Sequence, residues 1–187
     1  MPLDILLARS HDVAVALLSI TVFSTGFEIS GTVRTREQLD DFQEAFVMYR
    51  RRRTAELEPE LFRFGVKFAD ERKATNLGHP FQREQEDDDP SQPVLMPRGS
   101  GDGGRSWAMN WWVWPLPPPG PLALVWEWPA QGIGLTRHEL DATPLLEAAA
   151  RVEPLWPSGG AIGGSGSSVQ IVAPSARPRY PPQPSSA

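Results

Sequence analysis

Five prolines stand among the seven residues of the segment Pro115–Pro121. Proline fixes φ and has no backbone N–H, so neither a helix interior nor a central strand can pass through this segment. On both sides of it, large apolar side chains alternate with other residues at the two-residue period of β-strands. Six of the seven tryptophans lie there, at 107, 111, 112, 114, 126 and 128. The sequence therefore predicts a Trp-rich hairpin over 107–128, with a stiff proline-rich turn.

The same two-residue period predicts most of the remaining chain to be strand. The residues of 13–23 are apolar on both faces for much of their length, which is typical of a central strand buried on both sides. A short turn joins this run to the alternating run 27–35, which predicts an antiparallel hairpin. With the Trp-rich pair, seven or eight strands are expected, and the other candidates are 3–9, 61–69, 72–77 and 133–140.

Two segments have a helical period instead. Apolar residues spaced 3, 4 and 3 apart predict a helix over 37–53: Leu39, Phe42, Phe46 and Tyr49. Thr143 suits an N-cap and Pro144 the first helical position, which predicts a short C-terminal helix. The predicted fold is mainly β: an antiparallel β-sandwich or bent sheet with an inserted helix and a C-terminal helix. A two-layer α+β fold with both helices on one face is the alternative.

The domain organisation follows from composition. Residues 1–157 are predicted to form a single β-rich domain, with a mobile loop at about 78–105 where apolar residues are few. The last 30 residues, 158–187, contain 5 Gly, 5 Pro and 7 Ser. Such a segment carries little material for a core, so it is predicted to be a disordered tail.

Several segments resemble a family of uncharacterised actinobacterial proteins. They are FGVKFAD at 64–70, the glycine-rich 101–105, WWVWPLPPPGPL at 111–122, EWP at 127–129 and LWP at 155–157. The WPLPPPGPL stretch is the most specific of these, and the resemblance covers most of residues 3–157. It implies a bacterial origin and carries no activity, cofactor or site residue with it. The segment 37–53 and the tail lie outside the shared pattern.

Composition excludes some function classes. The chain has no cysteine, which rules out a disulfide framework and a thiolate zinc site. Its net charge of −5 argues against nucleic acid as a partner. The apolar run 13–23 is shorter than the roughly 20 residues that a membrane helix needs, and no basic segment of a signal peptide precedes it. We therefore expect no nucleic acid and no membrane among the partners, and a cytoplasmic location.

The polar motifs do not have the spacing that catalysis or metal binding requires. An EF-hand loop, a phosphate loop and a zinc site each need residue types at fixed intervals that this chain lacks. The candidates weighed were Asp87–Asp89, Gly99–Gly104, the arginine run Arg50–Arg53 and the histidines His11, His79 and His138. The sequence accordingly predicts no catalytic residue, no metal ligand and no cofactor.

The tryptophans remain as candidates for binding. Buried aromatic residues usually fill sheet cores, and core packing is the simpler interpretation of this cluster. Both faces of 107–114 carry Trp, however, so one face needs a cover or a partner. Trp112, Trp114 and Glu127 are therefore the predicted ligand or partner surface. The predicted function is a non-catalytic binding or protein-interaction module with another protein as partner. The sequence predicts no particular oligomeric state. The alternative is an enzyme with scattered polar residues near the hairpin.

Overall fold

The computed structural model describes residues 2–37, 58–77, 92–98 and 104–153. Within these ranges there are nine β-strands, one more than the upper end of the expected number, and one α-helix. The strands are β1 (Pro2–Arg9), β2 (Val13–Val22), β3 (Phe27–Thr35), β4 (Arg63–Lys67), β5 (Lys73–Thr75), β6 (Val94–Pro97), β7 (Ser106–Trp114), β8 (Pro121–Trp128) and β9 (Ile133–Asp141). A 3₁₀ turn, Pro129–Gln131, precedes β9, and helix α1 (Thr143–Ala150) follows it.

The strands form two antiparallel sheets that face each other. Sheet A has the order β1-β2-β3-β7-β6, and sheet B has the order β5-β4-β8-β9. Buried side chains of both sheets belong to one hydrophobic core. Trp111 of β7 stacks on Phe64 of β4 with ring centroids 4.4 Å apart, which joins the inner faces directly. The predicted mainly β fold with two sheets and a C-terminal helix is thus confirmed.

The edges of the two sheets lie beside one another. β1, at one edge of sheet A, is close to β9 of sheet B, and β5 is close to β6 at the opposite side. Among the nine described strands, no ladder joins the two sheets at either side. An unpaired strand edge exposes backbone donors and acceptors that can recruit another strand, and a neighbouring strand reduces that exposure. The edges of the two sheets are therefore partly shielded by each other.

The prediction of a Trp-rich hairpin was wrong. β7 pairs with β3 and β6 in sheet A, whereas β8 pairs with β4 and β9 in sheet B. The proline-rich segment between them crosses from one sheet to the other. Proline offers no N–H to a ladder, so this segment is suited to leaving a sheet. Gly120 adopts φ +120° there, and a Cβ on it would lie 2.9 Å from the Cβ of Ala69.

Strand β2 is buried on one face, not on both as predicted. Val13, Val15 and Leu17 point inward, and the register then shifts between Leu17 and Ser19. After this irregularity the inward positions are Ile20 and Val22, and the displaced Leu18 is 43% exposed. A bulge adds one residue to one strand, so it moves apolar residues from one parity to the other. The sequence pattern of the run is therefore that of a strand with two apolar faces, although only one face is buried.

Part of the segment predicted to be a loop is a strand. β6 (Val94–Pro97) pairs with β7, and its Leu95 is buried. Four residues that directly follow one proline and end in another give too short a pattern to identify from sequence, and pairing with a long neighbour decides their conformation. The remainder of the predicted loop at 78–91 and 99–103 lies outside the described residues. So do residues 38–53 of the helix predicted over 37–53, and the predicted tail 158–187.

Helix α1 begins one residue before the predicted first helical position, and its N-cap is Ala142 in place of the predicted Thr143. Thr143 is its first residue, and the carboxylate of Asp141 accepts hydrogen bonds from the Thr143 N–H at 2.9 Å and from its hydroxyl at 2.8 Å. These two hydrogen bonds lower the pKa of the fully exposed Asp141 below its usual value. Leu145 of the helix is buried in the core. Asp141 thus has a structural role at the end of β9.

Candidate functional site

The three predicted surface residues do not share one surface. Trp112 and Trp114 alternate with the buried Trp111 and Val113, so they lie on the outer face of sheet A. Glu127 alternates with the buried Trp126 and Trp128, which places it on the outer face of sheet B. The whole thickness of the sandwich separates the two faces. The three residues lie apart because the segment between β7 and β8 changes sheets, and their role as a ligand or partner surface stays a prediction.

Trp112 is held by neighbours within the chain. The Phe23 ring meets it edge-on with centroids 5.2 Å apart, and the Arg98 guanidinium lies 5.5 Å from its ring centroid. The indole also covers Gly26, where a Cβ would lie 2.7 Å from the ring. Trp112 is half-buried by these contacts, and Trp114 is half-buried as well. The apolar surface of Trp112 is used largely in packing against its own sheet.

The outer face of sheet B has a hollow where a side chain is missing. Gly65 stands in β4 between Thr75 of β5 and Val125 of β8, in direct register with both. The absent side chain leaves a hollow of about 180 Å³ above the strands, which we call the Gly65 hollow. A Cβ on Gly65 would lie 3.0 Å from the Ala74 carbonyl oxygen. Glycine therefore also permits the close approach of β5.

Apolar side chains form the sides of the Gly65 hollow. Leu77, just after β5, and Leu135 of β9 line it together with Val125. Leu135 is 73% exposed, which is high for a leucine on a sheet. Apolar surface that is exposed beside a concave site is a recurring feature of interaction surfaces. The hollow thus continues into an apolar rim that solvent can reach.

An ion pair closes one end of the hollow. Arg63 and Glu127 are directly opposite each other on β4 and β8, and Arg63 Nη1 donates to Glu127 Oε1. Their side chains are 16% and 24% exposed. Arg63 Nη2 also donates to the Glu58 carbonyl oxygen at 3.2 Å. The charges are fixed by strand register, in contrast to the mobility of most surface pairs.

A buried amide holds the strand that lines the hollow, β4, at its edge beside β5. The side chain of Asn76 accepts a hydrogen bond from the Phe64 N–H at 2.9 Å and donates to the Phe62 carbonyl at 2.8 Å. These bonds extend the pairing of β4 beyond the three residues of β5. Because its lining residues stand on paired strands or directly beside them, the hollow is formed without a partner.

Sequence reasoning selected Glu127 but missed the rest of the hollow. The available signal was the glycine at position 65 within an otherwise alternating strand. A glycine in a strand removes a side chain from one face and often marks a close backbone approach. Leu135 carried no comparable signal in the sequence, because its position at the rim of the hollow depends on how β9 pairs with β8.

Other chemistry-bearing groups are scattered. Across 2–37, 58–77, 92–98 and 104–153, no three His, Asp or Glu side chains converge on a possible metal site. His11 bonds to its exposed neighbour Asp12 at 2.7 Å. His138 and Glu139 lie on opposite faces of β9 as consecutive strand residues. In the same ranges, no helix is long and apolar enough to span a membrane.

Comparison with protein-family models, with curated proteins and with solved structures found no match for the chain. The resemblance to an actinobacterial family therefore stays a prediction from the segments that carry it.

Proposed function

We propose that this chain is a protein-interaction module that binds its partner on the outer face of sheet B. The observation that carries the proposal is the Gly65 hollow, with its apolar lining and the exposed Leu135 at its rim. A partner side chain that enters the hollow would bury apolar surface on both molecules, which is the main favourable term in association. The hollow is the anchor point of the proposed interface.

The size of the hollow favours a protein side chain over a free ligand. Sites for drug-sized molecules usually measure about 300–1,000 Å³ and enclose most of the ligand. The Gly65 hollow is smaller, at about 180 Å³, and open on one side. Interfaces between proteins commonly place a few anchor residues in small pockets and surround them with weaker contacts. One side chain of a partner matches this arrangement.

The test is site-specific photo-crosslinking in cells that express the full chain. A benzophenone amino acid at position 135 is expected to capture a defined protein that mass spectrometry identifies. The matched control carries the same group at Leu6, which is 58% exposed on the outer face of sheet A. A partner of sheet B is captured from position 135 and not from position 6.

Binding of the purified partner then decides the proposal. Val125→Phe places a ring in the hollow, and it is expected to weaken binding at least about tenfold, the effect of losing one anchor of more than 1 kcal/mol. Glu139→Gln changes an exposed carboxylate on the same face outside the hollow and is expected to leave binding unchanged. Undiminished binding by a folded Val125→Phe variant would refute the proposal.

Two further expectations accompany this function. The net charge of −5 supports a partner other than nucleic acid, because it opposes the approach of a polyanion. A cytoplasmic location stays a prediction, and it agrees with a chain that has no cysteine to form disulfides.

A further inference from the structure

Resting on the proposed function, we propose that the partner residue in the Gly65 hollow is a tyrosine, whose ring fills the hollow and whose hydroxyl donates to Glu127. Three properties of the hollow lead to this residue type. They are its volume, the acceptor at its rim and the balance of charge around it.

The volume fits one six-membered ring. An apolar cavity of about 150 Å³ in another protein binds benzene, so a ring of that size occupies a space of this order. The hollow measures about 180 Å³, which leaves room for one polar substituent on the ring. Leucine or valine would leave part of it empty, and voids forfeit the contacts of the atoms that line them.

The acceptor at the rim selects a ring that carries a donor. Glu127 Oε1 accepts from Arg63, while its second carboxylate oxygen accepts no hydrogen bond from the described residues. A partner that covers Glu127 removes water from that oxygen. Leaving a charged acceptor without a donor is costly, so a phenylalanine at this place would be penalised. The phenolic O–H of tyrosine supplies the missing donor, and hydrogen bonds to ionised groups are the stronger kind.

The charge balance argues for a neutral donor over a charged one. The Glu127 carboxylate is already compensated by the Arg63 guanidinium, which is directly opposite it. A lysine would bring a second cation beside Arg63, and an aspartate would bring a second anion beside Glu127. Either one would also have to be desolvated without a full counter-charge. A phenol matches the Arg63–Glu127 pair because it donates a hydrogen bond without carrying charge at neutral pH.

The experiment compares three small probes on the full chain. N-acetyl-tyrosinamide, its phenylalanine analogue and its O-methyl-tyrosine analogue differ only at the para position of the ring. Titrations followed by heteronuclear NMR are expected to shift the resonances of Gly65, Val125 and Leu135. The tyrosine probe is expected to bind about tenfold more tightly than either analogue, since both lack the donor. Equal affinities of the three probes, or shifts confined to other residues, would overturn the inference.

Two variants separate the role of Glu127 from general effects on the surface. Glu127→Gln keeps the shape and a weaker acceptor, and it is expected to lower affinity for the tyrosine probe severalfold while the phenylalanine probe is unaffected. Glu139→Gln, the matched change in the exposed Arg137–Glu139 pair, is expected to alter neither. An equal loss for both probes in Glu127→Gln would mean that the residue shapes the hollow without selecting the hydroxyl.

The outcome is distinguishable from that of the proposed function. A partner captured at position 135 whose binding is weakened by Val125→Phe but unaffected by substitution of its tyrosines would retain the interaction module and reject the tyrosine. Selective binding of the tyrosine probe without any captured partner would retain the recognition of phenol and reject the module.

Discussion

The two outer faces of the sandwich treat large side chains in opposite ways. On sheet A, Trp112 packs against Phe23 and Arg98 and covers Gly26, so this face fills its own spaces. On sheet B, the Gly65 hollow lies beside Thr75, whose Cγ2 would be 3.2 Å from a Cβ on Gly65. Each of these two regions contains a glycine: Gly26 in the first and Gly65 in the second. The Trp112 ring packs on Gly26, in the turn before β3, whereas a hollow lies beside Gly65 of β4.

This difference shows why a prominent aromatic residue is a poor guide to a binding surface. An exposed tryptophan lowers its free energy by packing on whatever lies beside it, and a folded chain usually provides a neighbour. A missing side chain on paired strands cannot be compensated in this way, because the backbone on both sides is fixed by its ladder. The concavity on sheet B is therefore a more specific feature than the tryptophans of sheet A.

The largest effect is expected where β7 faces the core. Trp111→Ala removes the ring that stacks on Phe64 at 4.4 Å and should lower the free energy of unfolding by about 3–5 kcal/mol. Trp112→Ala, one residue away on the outer face, should cost about 1–2 kcal/mol. Its ring is only half-buried, so the substitution removes less buried apolar surface. Urea denaturation of both variants gives the difference. Equal, large losses would mean that this outer face is packed as tightly as the core.

The second effect compares one glycine from each face. A Cβ at position 26 would lie 2.5 Å from the Val113 carbonyl oxygen, a backbone atom that cannot move without disturbing the ladder. Gly26→Ala should therefore cost about 2–3 kcal/mol, at the upper range for overpacking. At position 65 the closest atom would be 3.0 Å away, and Gly65→Ala should cost about 1 kcal/mol. Thermal unfolding ranks the two, and the reverse order would contradict the account of the two faces.

The sequence was sufficient for most of the strands and for the buried residues of several of them. Alternation identified the faces of β3, β7 and β8 because one side of each is in contact with the core. It could not assign β7 and β8 to different sheets, since strand pairing is decided by contacts far apart in the chain. For the same reason, the alternation around Glu127 predicted on which face of β8 it lies. It did not predict which residues of other strands lie beside it. Gly65 became a candidate only once β5 and β8 were placed on either side of it.

The smallest effect tests whether the hollow is held rigidly, and it compares the two ion pairs of sheet B. In Glu127→Gln the amide can still accept from Arg63, so the loss is limited to the charge assistance of one hydrogen bond. For side chains 16% and 24% exposed, we expect a decrease of about 1 kcal/mol in the free energy of unfolding. The Arg137–Glu139 side chains are 52% and 54% exposed, and pairs of this kind are screened by solvent. Glu139→Gln should therefore change stability by less than about 0.5 kcal/mol.

Urea denaturation at low and high salt separates the two variants, because salt should diminish the effect of Glu139→Gln more than that of Glu127→Gln. A neutral Glu127→Gln would mean that the pair is as loose as an ordinary surface pair. The carboxylate would then lack the fixed position that selection of a single hydroxyl requires.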